Sequence, residues 1–246
     1  MYAPPVTTRV MASEIRPPLE LGDGLRCGPP PALEEGGQPV LWLVRSDRFG
    51  DVAAGSAASV LDPGERGRAA EFRKDEDRAT YLAGHVGLRS LLGAYLGVPP
   101  REVPLEREPC FSCGRPHGRP FVRGNPLHFS LSHTGGLCLL AFAVTRVGAD
   151  IEAIPTLTVA DEAGAALHPR ETAELGALGA ADRPAAFART WVRKEAWLKG
   201  LGAGLARSPS LDYLGTAQEA VAGPRGWWVG DVPVDDGYAA AVAVAD

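Results

Sequence analysis

The segment Gly148-Ala149-Asp150-Ile151-Glu152 places two carboxylates two positions apart. On a strand, side chains two apart face the same side, so Asp150 and Glu152 point together while Ile151 turns toward a core. Two carboxylates held that close repel unless positive charge sits between them, and a hard divalent cation with oxygen ligands satisfies both. A water-exposed pair on an edge strand, or one bridged to arginine, uses the same residues, and the tripeptide alone does not choose.

A second group lies on the apolar-periodic stretch 184–201. At about 100° per residue, Phe187, Trp191, Leu198 and Leu201 share one stripe, and Lys194 falls inside it. Glu195 and Lys199, four apart, are neighbours at its border. They read either as a helix-stabilising pair worth about 0.2–0.5 kcal/mol, with Lys194 extending its stem to water, or as one carboxylate and two cations at the edge of a cleft for a polyphosphate and its metal. A third group, Ser132-His133-Thr134, opens a polar turn predicted at 132–136. Neighbours in a tight turn make a poor nucleophilic set, but hydroxyls, backbone N–H groups and an imidazolium are all phosphate donors. A hydroxyl-rich surface turn would look the same. Finally, Cys110 and Cys113 with His117 make half of a zinc site, the fourth ligand falling to Cys27 or His128.

The elements that must position these groups are legible in outline. Residues 1–38 are rich in proline and glycine and read as an extended lead-in. The apolar run 40–44 suits a buried strand. Asp62-Pro63-Gly64-Glu65 signals a helix start, with Asp as N-cap and Glu three residues on, and helical sequence continues to about 96 with a break near 73–77. Arg66, Arg68, Arg73, Lys74 and Arg78 crowd its early part, which suits a solvated face or a phosphate patch. An irregular connection over 97–126 precedes strands at 127–131, 137–144 and 147–152. Helices at 168–178 and 184–201 and strands at 226–232 and 238–244 complete the chain. Strand, helix and strand-pair patterns recur in each half, which predicts an α+β fold of two similar lobes, 39–145 and 146–246, with the metal site where they meet.

The 246 residues suffice for a sizeable core, and 45% are apolar. With 25 basic against 30 acidic residues the net charge is −5, so nucleic acid is not an expected partner. No apolar run reaches the roughly 20 residues that cross a bilayer, and the N-terminus lacks a secretory pattern, so the expectation is a cytoplasmic protein with no membrane contact. Four cysteines in a chain this long do not make a disulfide scaffold.

Taken in order, Phe129-Ser130-Leu131-Ser132-His133-Thr134-Gly135, then Val147-Gly148-Ala149-Asp150-Ile151-Glu152, then Trp191-Val192-Arg193-Lys194-Glu195-Ala196-Trp197-Leu198-Lys199 resembles the three signatures of the 4′-phosphopantetheinyl transferase superfamily. The likeness covers residues 40–205, including Arg68 to Arg89 and Gly118-Arg119-Pro120-Phe121, and the length suits the surfactin-synthetase-activating type, a monomer of two pseudo-symmetric α+β lobes. The resemblance implies a transferase that moves phosphopantetheine from coenzyme A to a serine of an acyl or peptidyl carrier protein of fatty-acid, polyketide or non-ribosomal peptide systems. It implies Asp150, Glu152 and Glu195 around Mg²⁺, or Mn²⁺, with Glu195 also deprotonating the serine. Lys199 would hold the phosphates and assist the leaving group. Lys194, Ser132, His133, Arg68 and Arg119 would contact coenzyme A. Three positions depart from the family pattern, Glu65, Thr80 and Ser130, with Arg78 the candidate to replace the arginine missing at Thr80. A non-catalytic coenzyme A-binding module and a Mg²⁺-dependent phosphohydrolase are the alternatives. Binding without product would mark the first, and adenosine bisphosphate release without a carrier the second.

Overall fold

The computed structural model describes residues 15–22, 29–110, 112–219 and 222–246. Its centre is a pair of strands with no polar face. Strand β2 (Val40–Arg45) pairs antiparallel with β6 (Leu137–Ala143). Because side chains alternate, Trp42, Val44, Cys138, Leu140 and Phe142 enter one core while Leu41, Leu43, Leu137, Leu139 and Ala141 enter another. Burial on both faces is why the sequence shows continuous apolar runs here rather than alternation. Strand β5 (His128–Thr134) pairs antiparallel with the other side of β6. The expected lead-in contributes a two-residue parallel strand, β1 (Leu19–Glu20), beside β2; the rest of that expectation at 1–14 and 23–28 lies outside the described residues.

Helix α1 (Ser46–Val60), which the sequence reading did not anticipate, follows β2. Then come α2 (Pro63–Ala70) and α3 (Asp75–Leu96), with the predicted break between them. The Asp62–Glu65 capping box forms as read: the Glu65 N–H donates to Asp62 Oδ1 at 2.8 Å and the Asp62 N–H to Glu65 Oε2 at 2.9 Å. Helix α3 lays Val86, Leu91 and Leu92, all fully buried, against the sheet. A short hairpin, β3 (Leu105–Arg107) and β4 (Pro120–Val122), occupies part of the stretch read as irregular.

The second half holds β7 (Val147–Ala153), α4 (Leu157–Gly164), α5 (Pro169–Gly176), α6 (Arg183–Leu201), β8 (Trp227–Asp231) and β9 (Tyr238–Ala245). Its sheet runs β7-β9-β8, all antiparallel. The path repeats that of the first half: a first strand, a set of helices, then a hairpin whose last strand returns to the middle, giving β2-β6-β5 and β7-β9-β8. The polar interior repeats as well. In the first half, Arg89 of α3 is bonded to Asp62 at 2.8 Å and to Glu65 at 2.6 Å. In the second, Lys194 of α6 is bonded at 2.7 Å to Glu171, the acid of a His168–Glu171 capping box. Each long helix is thus tied by a buried cation to the capping box of a shorter one.

The two sheets meet at β5 and β7, where the Ala149 N–H donates to Ser130 Oγ at 3.0 Å. Leu41, Leu139, Ile151 and Val242 form a core shared by both. No described helix is long and apolar enough to cross a membrane.

Candidate active site

The hairpin between β5 and β6 is tighter than the sequence suggested. Gly135 and Gly136 adopt φ of +51° and +87°, a two-residue turn of the primed kind that only glycine enters cheaply. Ser132, His133 and Thr134 therefore belong to strand β5 instead of a loop, and alternate across it. Ser132 is buried toward β7, while His133 is exposed on the opposite face.

Strand β7 and helix α6 approach unusually closely. A Cβ on Gly148 would lie 2.0 Å from the Ala196 carbonyl oxygen and 2.3 Å from the Gly200 nitrogen. This contact sets the last two turns of α6 directly over β7 and brings Glu195 and Lys199 to the acids. The Lys199 ammonium donates to Asp150 Oδ1 at 2.6 Å and to Ser132 Oγ at 2.9 Å, and the Ser132 hydroxyl donates to the same carboxylate oxygen at 2.6 Å. Three segments, far apart in the chain, meet at one oxygen.

Asp150 is 2% exposed. Its other oxygen, Oδ2, is buried with no hydrogen-bond partner among the described residues. An orphaned carboxylate oxygen in a dry site is costly, and a bound cation would remove the cost. Burial pushes the Asp150, Glu152 and Glu195 carboxyls above their usual range. The Asp150 charge raises both Glu152 and Glu195 further, and Lys199 opposes the rise. The charge of Asp150 thus reaches both glutamates, and a metal ion would reverse the sign of the field. The three acids are held more loosely than a closed metal cage: among the described residues, the one trio of ligand side chains with donor atoms all within 4.8 Å is Cys110, Cys113 and His117. The donor set of hard oxygens beside a free carboxylate lone pair fits Mg²⁺.

A cleft of about 790 Å³ opens at the His133–Thr134 end of β5, lined by Arg45, Phe72, Thr80, His133, Thr134 and Tyr238 among others, with none of the three acids in its wall. That is ample for a nucleotide. A second cleft of about 370 Å³ has Lys199, Arg119, Arg107, His85 and Ser130 in its wall. Arg119 donates to the Gly200 carbonyl at 2.9 Å and pairs with Glu108 at 2.6 Å.

Several expected contacts stand elsewhere. Lys194 does not reach either cleft: it is 1% exposed, and its ammonium is spent on Glu171 and the Asp212 carbonyl. Its place in the apolar stripe reflects that buried pairing. Ser132 braces Asp150 from beneath and lines neither cleft. Arg68 and Arg78 lie at the exposed α2–α3 corner, paired with Glu71 and Asp75, outside both clefts. The sequence reading missed Arg45, whose guanidinium donates to both oxygens of Asp235, at 2.7 and 2.9 Å, across the mouth of the larger cleft. It also missed Tyr238, whose hydroxyl donates to the Gly135 carbonyl at 3.2 Å. No local signal marks either residue, since each acts through a partner about a hundred or more positions away.

His85 supplies a pH readout of this region. It stacks on Tyr81 with ring centroids 3.8 Å apart, and burial pushes its imidazole down to about 4. The unfolded chain, with an ordinary histidine, binds the proton first as pH falls below 6.5, so this contribution to stability is present above that pH and lost on the way down to about 4. At 1.36 kcal/mol per pH unit the loss approaches about 3 kcal/mol. Urea unfolding at pH 7 and pH 4 should show wild type losing that much more than His85→Gln; equal losses in both would refute the assignment.

An α+β protein of two repeating halves, with three acids, a lysine and a nucleotide-sized cleft at their junction, has the parts of a metal-assisted phosphoryl-type transferase. Comparison with known proteins narrows the class. Residues 146–241 match the family described as 4′-phosphopantetheinyl transferase superfamily, and residues 53–145 match 4′-phosphopantetheinyl transferase, N-terminal. The chain is 35% identical over 192 residues to 4′-phosphopantetheinyl transferase HetI of Nostoc sp., covering 76% of this chain and 80% of that protein. It is 37% identical over 137 residues to 4′-phosphopantetheinyl transferase AcpT of Salmonella typhi, covering 55% of this chain and 65% of the relative. With 4′-phosphopantetheinyl transferase Sfp of Bacillus subtilis it shares 26% identity over 148 residues, 60% of this chain and 62% of the relative. The chain belongs to the 4′-phosphopantetheinyl transferase superfamily.

Proposed function

We propose that this chain transfers 4′-phosphopantetheine from coenzyme A to a serine hydroxyl of an apo acyl or peptidyl carrier protein, releasing adenosine 3′,5′-bisphosphate. The observation that carries the residue assignment is the junction of Asp150, Ser132 and Lys199, with Glu152 and Glu195 in the same field. Family membership supplies the reaction class.

The coenzyme A pyrophosphate lies along the junction, with the nucleotide in the larger cleft, where His133, Thr134, Thr80 and Arg45 offer donors. Asp150, Glu152 and Glu195 are the residues that would hold Mg²⁺, and a bound Mg²⁺ would supply positive charge to the site. Glu195 takes the proton of the incoming serine, whose hydroxyl is otherwise a weak nucleophile. As the bond from the β-phosphorus to the bridging oxygen breaks, charge grows on the departing bisphosphate, and Lys199 neutralises or protonates it. Ser132 keeps Asp150 oriented, and Arg119 provides charge on the smaller cleft's wall. Both halves of the site come from one chain, which suits a monomer.

The test is mass spectrometry of several apo carriers incubated with coenzyme A and Mg²⁺. The expected product is a carrier heavier by about 340 Da, the mass of the arm moved by this phosphoryl-type route. Adenosine bisphosphate released in the absence of a carrier, with no carrier gaining mass, would reject the proposal in favour of hydrolysis.

A further inference from the structure

The reaction leaves one group of chemistry-bearing side chains unused. Cys110, Cys113 and His117 sit at the tip of the β3–β4 hairpin, and their ligand atoms all lie within 4.8 Å of one another. Cys113 Sγ and His117 Nε2 are 3.0 Å apart, in hydrogen-bond contact. Cys110 is half-buried and Cys113 exposed, and neither is in a disulfide. Tetrahedral zinc, with Zn–S near 2.3 Å and Zn–N near 2.0 Å, needs ligand atoms about 3.5–3.8 Å apart. The three are therefore within small side-chain rotations of closing on an ion.

The loop is built to hold them there. The hairpin ladder continues past the strands, with the Glu108 N–H donating to the Arg119 carbonyl and the Gly118 N–H to the Glu108 carbonyl, both at 2.9 Å. A tight turn then folds the tip back: the Cys110 N–H donates to the Arg115 carbonyl at 2.7 Å and the Gly114 N–H to the Cys110 carbonyl at 2.9 Å. Gly114 takes the left-handed φ of +70° that lets the chain pass from one cysteine back toward the other. Two soft thiolates and an imidazole select zinc, whereas the oxygen donors at Asp150 suit Mg²⁺, so the two sites differ in kind.

We propose that Cys110, Cys113 and His117 bind a zinc ion that staples the β3–β4 loop, with water completing the tetrahedron. His128, the alternative fourth ligand read from the sequence, does not join the group, and Cys27 lies outside the described residues. The staple has a consequence for the cleft, because the loop ends in Arg119, which clamps Glu108 to the Gly200 carbonyl at the end of α6, and Cys110 and His117 share a cleft wall with Lys199. Zinc uptake displaces the two thiol protons and involves no redox change.

The test is metal analysis of the full chain purified under reductant without chelator, followed by Co²⁺ exchange. The expected result is about one zinc per chain, thiolate-to-cobalt charge-transfer bands on exchange, and a fall to about a tenth of that zinc in Cys110→Ser/Cys113→Ser. Far-UV circular dichroism reports whether the double variant is folded. If it is not, His117→Ala, which keeps both thiols, should bind zinc about 10–100-fold more weakly. Wild-type chain that takes up no zinc even when zinc is added, or either folded variant holding it as tightly as wild type, would overturn the proposal.

Discussion

Glu195→Gln should lower carrier modification by about 10²–10⁴-fold, the usual worth of a positioned base, while leaving the fold in place. Glutamine fills the same volume, so the packing of α6 on β7 is undisturbed. What disappears is a charge that can accept the serine proton and share a cation with Asp150 and Glu152. Glu195 is half-buried, and burial, then the charges of Asp150 and Glu152, push its carboxyl upward. The decisive comparison is turnover at saturating coenzyme A and apo carrier alongside calorimetric coenzyme A affinity. Wild-type turnover by folded Glu195→Gln protein removes the residue from the mechanism. A loss confined to affinity would make it a binding group only.

The second large effect concerns no polar atom. Gly148→Ala should cost about 3 kcal/mol or more, the upper range for overpacking, and take activity with it. The added methyl would meet the backbone of α6 at 2.0 and 2.3 Å, and neither carbonyl nor amide can swing aside as a side-chain tip could. Helix and strand must separate, which moves Glu195 and Lys199 away from Asp150. Gly50→Ala in α1 is the control: nothing lies within 4 Å of its missing Cβ, so the same change there should be neutral or stabilising by about 0.5–1 kcal/mol through helix entropy. Urea denaturation of both variants checks the contrast. Equal stability would mean that the close approach at Gly148 is not what seats the helix.

The sequence was most legible where one residue type has one physical use. The Asp62–Glu65 box, the break before α3 and the continuous apolar strands β2 and β6 follow from local rules, and Ile151 buried on the face opposite Asp150 and Glu152 follows from strand alternation. Helix α1 escaped notice because Arg45 caps it without a side-chain hydrogen bond and Gly50 and Gly55 interrupt it. Lys194 was misplaced for a different reason. Its stripe position is equally consistent with reaching a cleft or pairing with a buried acid, and Glu171, 23 residues back, decides between them. The same distance problem hid Arg45, whose partner Asp235 is 190 positions away. Pairing of this kind is a property of the assembled lobes, and spacing along one helix or strand carries no trace of it.

The doubled strand path and the doubled cation–capping-box tie describe a scaffold with near-twofold bookkeeping and a single workplace. In the first half the opening strand is apolar on both faces, and in the second it carries the acids. Occupancy by coenzyme A should therefore saturate at one molecule per polypeptide, because the equivalent corner of the first half has been given over entirely to holding the molecule together.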